Sequence, residues 1–254
     1  MMKRDELKSL LDPLVDKYNQ PNFIASDPIQ IPHLFKKKED IEIIGFLTAI
    51  IAWGNRQSII KNANRMVDIM HESPHHYVLN YNGSEPEFVH RTFNATDFDF
   101  FLRALQHIYL ERGGLESVMN LELGAKNAIM NLRKVFTEVE HQSRSLKHLA
   151  NPEKGSSAKR INMFLRWMVR KDGHGVDFGL WNSKYMRELM VPLDVHTGNS
   201  ARALQLISRK ANDWKSLDEL MEKLRALDPK DPSKYDFALF GLSVDEKLDG
   251  LQIK

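Results

Sequence analysis

Three places in this sequence combine residue types that can do chemistry. In VPLDVHTGNSARAL, Asp194 follows the apolar pair Pro192-Leu193 and stands directly before a helical run that starts at Val195. An aspartate there is a good helix N-cap, because its carboxylate accepts N–H groups that the first turn leaves unpaired. Its apolar neighbours also suit a carboxylate at the floor of a cleft. In Lys154-Gly155-Ser156-Ser157-Ala158-Lys159-Arg160, small residues open a helix and set Lys159 in its first turn. Small side chains let a ligand approach the backbone, and the N–H groups of a helix start attract phosphate. A plain helix start with a solvated lysine accounts for the same letters. The third stretch, His71-Glu72-Ser73-Pro74-His75, spells the HExxH pattern of zinc proteases. Zinc needs both histidines one turn apart on a continuous helix, and Pro74 between them removes a helical hydrogen bond and clashes with the preceding turn. A helix ending at Glu72 and an exposed loop are expected there, and no metal site is assigned.

The elements that must position these residues read as helical almost throughout. Ile41 to Met70 carries apolar residues at helical spacing, interrupted at Trp53-Gly54-Asn55-Arg56-Gln57, a helix–turn–helix junction. Phe98 to Glu111 repeats the pattern and Gly113-Gly114 ends it; Leu115 to Val139 is a further helical region with a break in the middle. Ala158 to Arg170 predicts a helix with Ile161, Phe164, Leu165 and Met168 toward the core and Lys159, Arg166 and Arg170 together on another face. Val195 to Ser208, Ser216 to Leu227 and Lys234 to Phe240 complete the set, and no alternating strand of convincing length is found. The expected fold is all-α, as two packed helical lobes with a helix-hairpin-helix element and a cleft between them. The lobes are expected at 40–171, and at 1–39 with 172–254, within one unit spanning 1–254.

Composition narrows the function. The chain has 254 residues, 28% of them charged and 42% hydrophobic, with 13 Gly and 10 Pro, which fits a globular protein with a sizeable core. It has no cysteine, so disulfides, thiolate zinc sites, iron–sulfur clusters and a cysteine nucleophile are excluded. No G-x-S-x-G elbow, GxxxxGK[ST] loop or GxGxxG fingerprint occurs. The N-terminal stretch lacks the apolar core of a signal peptide, and no window suggests a membrane span, so a cytoplasmic setting is expected. A monomer is expected as well. The formal charge is only +2, but Lys147 to Arg170 holds Lys147, Lys154, Lys159, Arg160, Arg166 and Arg170 against the single acid Glu153. Such an excess suits phosphate, although a solvated basic face has the same composition.

Taken together, these stretches carry a resemblance. Gly155-Ser156-Ser157-Ala158-Lys159-Arg160 resembles the glycine hairpin and lysine of the helix-hairpin-helix DNA glycosylase superfamily, whose pattern reads roughly L-P-G-V-G-x-K-T-A. Pro192-Leu193-Asp194-Val195-His196 with Ala201-Arg202-Ala203-Leu204 is similar to its V-D-x-H…R-x-x-R-L segment. Within the superfamily the cysteine-free archaeal 8-oxoguanine glycosylase branch is nearest, since its lysine-to-aspartate interval is also long. The chain from 40 to 245 also resembles a bacterial family of conserved hypothetical proteins, through Phe164-Leu165-Arg166-Trp167-Met168-Val169-Arg170 and Lys234-Tyr235-Asp236-Phe237-Ala238-Leu239-Phe240. Two departures stand out: Ser157 replaces the second hairpin glycine, and the long interval implies an inserted element around Lys171 to Met190.

The resemblance implies removal of a damaged base, such as an oxidised purine, from double-stranded DNA, with strand cleavage through a Schiff base. Lys159 would be the nucleophile and Asp194 the carboxylate that stabilises the positive sugar. A lysine in water is protonated at neutral pH, so such a nucleophile needs desolvation or nearby positive charge; the helix start and Arg160 offer both, whereas an aspartate too close to the amine opposes them. Lys154, Gly155, Ser156, Ser157 and Arg160 would hold phosphate, Arg166 or Arg170 would reach the duplex, and one of Asn55, Arg56 or Gln57 would fill the gap left by the extruded base. Trp181, Phe178, Tyr185, Phe237, Asp236 and His196 are candidates for the base pocket, each also compatible with an ordinary core or surface position. The resemblance leaves room for a monovalent cation at the hairpin and none for an iron–sulfur cluster. The alternative is a non-catalytic helix-hairpin-helix DNA-binding protein, and a purely structural helical domain needs neither lysine nor aspartate.

Overall fold

Chain contacts in the computed structural model, which describes residues 2–244, divide the protein into residues 1–23 with 152–254 and residues 24–151. The boundary differs from the expected 40–171 and 1–39 with 172–254: the hairpin and its helix group with the C-terminal half. Residues 1 and 245–254 of the expected lobes lie outside the described residues. Helices dominate, and the one sheet among the described residues is a ribbon of β1 (Val89–His90) and β2 (Phe93–Asn94). The fold is all-α. No helix among the described residues is long and apolar enough to cross a membrane.

The unit of 24–151 is built around α2 (Lys38–Ile50), whose Ile41, Ile43, Ile44, Phe46, Leu47 and Ile50 are all buried. A helix apolar on every side belongs in the middle of a core. Against it pack α3 (Arg56–Ile69) and α4 (Pro74–Leu79). Asn55 caps α3 by accepting from Ser58 N–H, which places the junction where the sequence puts it. Next comes α5 (Ala95–Glu111), which opens on a capping box between Asn94 and Asp97. It packs on α4, α6 (Leu115–Val118) and α7 (Gly124–Phe136). Phe46, Phe100, Phe101 and Phe136 knit the centre, with ring centroids 5.1–6.1 Å apart. The zinc-like letters lie at a break between two helices, not at the expected helix to Glu72 with an exposed loop after it. The helix stops at Ile69, His71 and Glu72 both have φ of 52°, and Pro74 starts α4, so His71 and His75 do not share a helix.

The other unit carries α1 (Arg4–Tyr18), α8 (Lys159–Val169), α9 (Val195–Ala203), α10 (Trp214–Leu227) and α11 (Tyr235–Val244). Leu7, Leu11, Leu14 and Val15 form the buried stripe of α1, which packs on α11 and α10, and α11 in turn packs on α9. In α8 the residues Ile161, Phe164, Leu165 and Met168 are buried, as their spacing predicts. The segment between α8 and α9 contains only a 3-10 helix at Ser183–Glu188. On the N-terminal side of the hairpin stands a three-residue 3-10 turn, Pro152–Lys154, in place of the α-helix that a helix-hairpin-helix expects. α9 stops at Ala203, short of the expected Ser208, and Gln205 takes a φ of 57°.

Candidate active site

The path into α8 is set by two left-handed residues. Gly155 has a φ of 88° with open space where a Cβ would stand, and Ala158 caps α8 at a φ of 50°. Between them, Ser156 Oγ accepts from Ala158 N–H at 3.2 Å, a local turn typical of serine. Ser157, at the place of the second glycine, is buried, and its hydroxyl donates to Leu193 O at 3.2 Å. That bond joins the start of α8 to the residue before Asp194. Asn162 donates to Ser157 O at 2.9 Å and fixes the turn from within α8. The carbonyls of Gly155 and Ser157 therefore already accept from Trp214 N–H and from the Asn162 amide, so a cation at the hairpin would have to share them.

Asp194 caps α9: its Oδ1 accepts from Thr197 N–H at 2.9 Å. Its other oxygen, Oδ2, lies 2.7 Å from Lys159 Nζ, with the side chains 38% (lysine) and 24% (aspartate) exposed. Cap and ion pair are thus made at once by the two oxygens of one carboxylate. Burial works against the charge on Asp194, but the Lys159 ammonium, the Thr197 N–H and nearby His196 outweigh it and hold the carboxyl below its ordinary range. At neutral pH it is a carboxylate. Next to Lys159, burial pushes the Arg160 guanidinium down to about 10, which leaves it a cation at neutral pH.

Behind the pair lies a network that the sequence did not reveal. Lys159, Arg166 and Arg170 share a face of α8, as the helical period requires, yet Arg166 and Arg170 are buried rather than offered to a ligand. Arg166 meets Asp236 through Nη1 and Asp177 at 3.2 Å through Nε. Arg170 reaches Asp172 at 2.8 Å, Asp177 at 3.1 Å and Asp231 at 2.9 Å. The loop carrying Asp172 and Asp177, and the start of α11, therefore cover the face expected to touch DNA. Asp236 is buried, and burial, with Asp194 and Asp177 nearby, pushes its carboxyl up to about 6 despite Arg166 and Lys159. The desolvation of this largely buried carboxylate outweighs its own ion pair.

The remaining candidates divide plainly. Trp181 and Phe237 are core residues: Trp181 stands edge-on to Phe164 at 5.5 Å, and the Arg166 guanidinium lies over the Phe237 ring at 4.5 Å. Neither forms an open pocket wall, because both rings are consumed in packing. Phe178 and Tyr185 are half-buried, while His196 and Lys154 are exposed beside the pair and the hairpin respectively. Val195, between Asp194 and His196, is 64% exposed, an unusual place for an aliphatic side chain that helical periodicity did not single out. Asn55, Arg56 and Gln57 are exposed at the junction of α2 and α3 and belong to the other unit. What the structure brings together is Lys159, Asp194, Ser157 and the hairpin, with Asp236 in electrostatic range.

Comparison with known proteins adds one finding. No curated protein and no solved structure matches the chain. A family model described as a protein of unknown function, DUF2400, matches residues 27–245, from before α2 to beyond α11 and across the whole hairpin and aspartate region, and the chain belongs to that family.

Proposed function

We propose that this protein is a base-excision DNA glycosylase with lyase activity, in which Lys159 is the nucleophile and Asp194 its electrostatic partner. The supporting observation is the 2.7 Å approach of Lys159 Nζ to Asp194 Oδ2, which joins the first residue of α8 to the cap of α9. The two residues are far apart in sequence, and a pair of helix starts facing each other is a place where a phosphate-rich backbone is also welcome. Lys154, Arg160 and the hairpin backbone from Gly155 to Ser157 would hold that backbone. Arg166 has no part in this contact, being enclosed by Asp177 and Asp236.

In the proposed reaction the neutral amine of Lys159 bonds to the anomeric carbon as the bond to the base breaks. The base leaves with the bonding electron pair and takes up a proton. The Asp194 carboxylate stabilises the positive charge that develops on the sugar. Ring opening gives a protonated imine, loss of the adjacent sugar proton expels the 3′ phosphate, and water then releases the lysine. The closed ion pair is a resting state in this scheme, because the ammonium must give up its proton before it can attack.

The closed pair also favours a second reading, a DNA-binding module in which the lysine only clamps the cap. Trapping with borohydride separates them. Duplexes carrying 8-oxoguanine, uracil, thymine glycol or an abasic site are incubated with the full chain and the reductant. A covalent adduct formed by wild type and lost in Lys159→Ala is expected. No adduct with any duplex, or an undiminished one from Lys159→Ala, ends the lyase proposal. Duplex binding that survives in Lys159→Ala and Asp194→Asn without base release assigns the module.

A further inference from the structure

We infer that the segment Arg209–Asp213 is a strap that sets the Lys159–Asp194 geometry, with Asn212 as a positioning residue for Asp194. The inference concerns the site of the proposed glycosylase and takes its meaning from that reading. The strap holds both halves of the pair. On one side, Ser156 and Asp213 form an antiparallel bridge, and Trp214 N–H donates to Gly155 O at 2.9 Å, so the strap is laid along the hairpin that leads into Lys159. On the other side, Asn212 Nδ2 donates to Asp194 O at 2.9 Å, on the very residue whose side chain meets Lys159.

The Asn212 amide is itself held. Arg202, from the last turn of α9, donates to Arg209 O at 2.8 Å, Lys210 O at 2.9 Å, Ala211 O at 3.2 Å and Asn212 Oδ1 at 2.6 Å. With the oxygen of the amide facing a guanidinium, its NH2 must face the Asp194 carbonyl, so chemistry fixes the orientation of the amide. Gly198 makes room for this. A Cβ there would stand 2.5 Å from Asn212 Oδ1 and 2.8 Å from Arg202 Nη1. Glycine is a poor residue for the middle of a helix, and here it admits the amide against α9. The far end of the strap is pinned as well, since Asp213 caps α10 through Ser216 N–H and pairs with Arg209 at 2.7 Å.

Two variants test the strap in the full chain. Asn212→Ala removes the donor to Asp194 O and one of the four acceptors of Arg202. Gly198→Ala keeps both groups and improves helix propensity, yet its methyl displaces the amide. The readouts are the NMR titration of the Asp194 carboxyl and the Lys159 ammonium signal, thermal melting, and the rate of borohydride trapping on an abasic duplex beside its affinity. We expect both variants to move the Asp194 midpoint upward toward the ordinary aspartate range. Trapping should slow by about tenfold to a hundredfold, as a displacement of about 1 Å would require, at unchanged duplex affinity. The two variants disturb the amide by different routes, one by removing it and one by displacing it, so the same shift at Asp194 in both, with cooperative melting retained, marks an effect of position rather than of folding. Wild-type titration and ammonium signals in both variants would overturn the strap. A wild-type chain that traps no duplex overturns the lyase alone, because the NMR measurement needs no substrate.

Discussion

Replacing Asp194 by asparagine, and separately by alanine, separates its work as a cap from its work as a charge. Asparagine caps a helix about as well as aspartate, so Asp194→Asn keeps the bond to Thr197 N–H and loses the charge. What it gives up in stability is a partly exposed ion pair, worth about 0–1 kcal/mol, and a favourable charge at a helix start, worth about 0.3–1 kcal/mol. The sum is about 1 kcal/mol, or roughly 2–4 °C of melting temperature for a chain of this size. Asp194→Ala loses the cap as well, about 1 kcal/mol more. Adduct formation should respond differently: both variants should lose about a hundredfold or more, since the charge is absent from both. The pH dependence gives an independent check. The folded carboxyl lies below its ordinary value of 3.8, so its contribution is present above that value and is lost as pH falls through the folded one. The gap in stability between wild type and Asp194→Asn should therefore close in acid below that value. Melting curves across pH and trapping rates measure both quantities. An asparagine variant that traps at the wild-type rate would reduce Asp194 to a cap, and equal melting of the asparagine and alanine variants would remove even that role.

The buried network makes two further predictions. Arg166→Met leaves Asp236 without its partner and Asp177 with Arg170 alone, and should destabilise the fold by about 3–5 kcal/mol, read by chemical denaturation; a loss below about 1 kcal/mol would mean that water reaches the Asp236 carboxyl. Asp236 should titrate near 6 in the folded chain, so its ionisation opposes folding above that pH and the penalty is relieved as pH falls toward 3.8; a carbon-detected midpoint at or below the ordinary aspartate value would show that its pairing with Arg166 prevails over burial.

The difference between Asp194 and Arg166 explains what was legible. A cap is a local device: carboxylate, helix start and acceptor geometry all lie within Asp194 to Thr197, and the letters contain them. The same holds for Asn55 before α3, for the buried stripe of α8 and for Pro74, which keeps His71 and His75 off a common helix. Arg166 and Arg170 were misplaced because helical spacing says which residues share a face and not what covers it. Two of their partners, Asp231 and Asp236, lie just before and on α11, far along the chain. Trp181 and Phe237 failed as pocket walls for the same reason, since their type fits a core and a pocket equally.

By itself, then, the sequence determined the helical class, most of the helix positions, the cap at Asp194 and the first-turn place of Lys159, because each follows from residues within one or two turns of one another. Only the tertiary structure decided that Lys159 and Asp194 meet, that Ser157 ties their helices together, that Arg202 and Asn212 bind the strap to α9, and that two of the expected DNA-binding arginines are enclosed by aspartates. Those contacts join different helices and loops, some of them distant in sequence, and which of the available partners a charge or an amide finds is settled by packing, to which local pattern is blind.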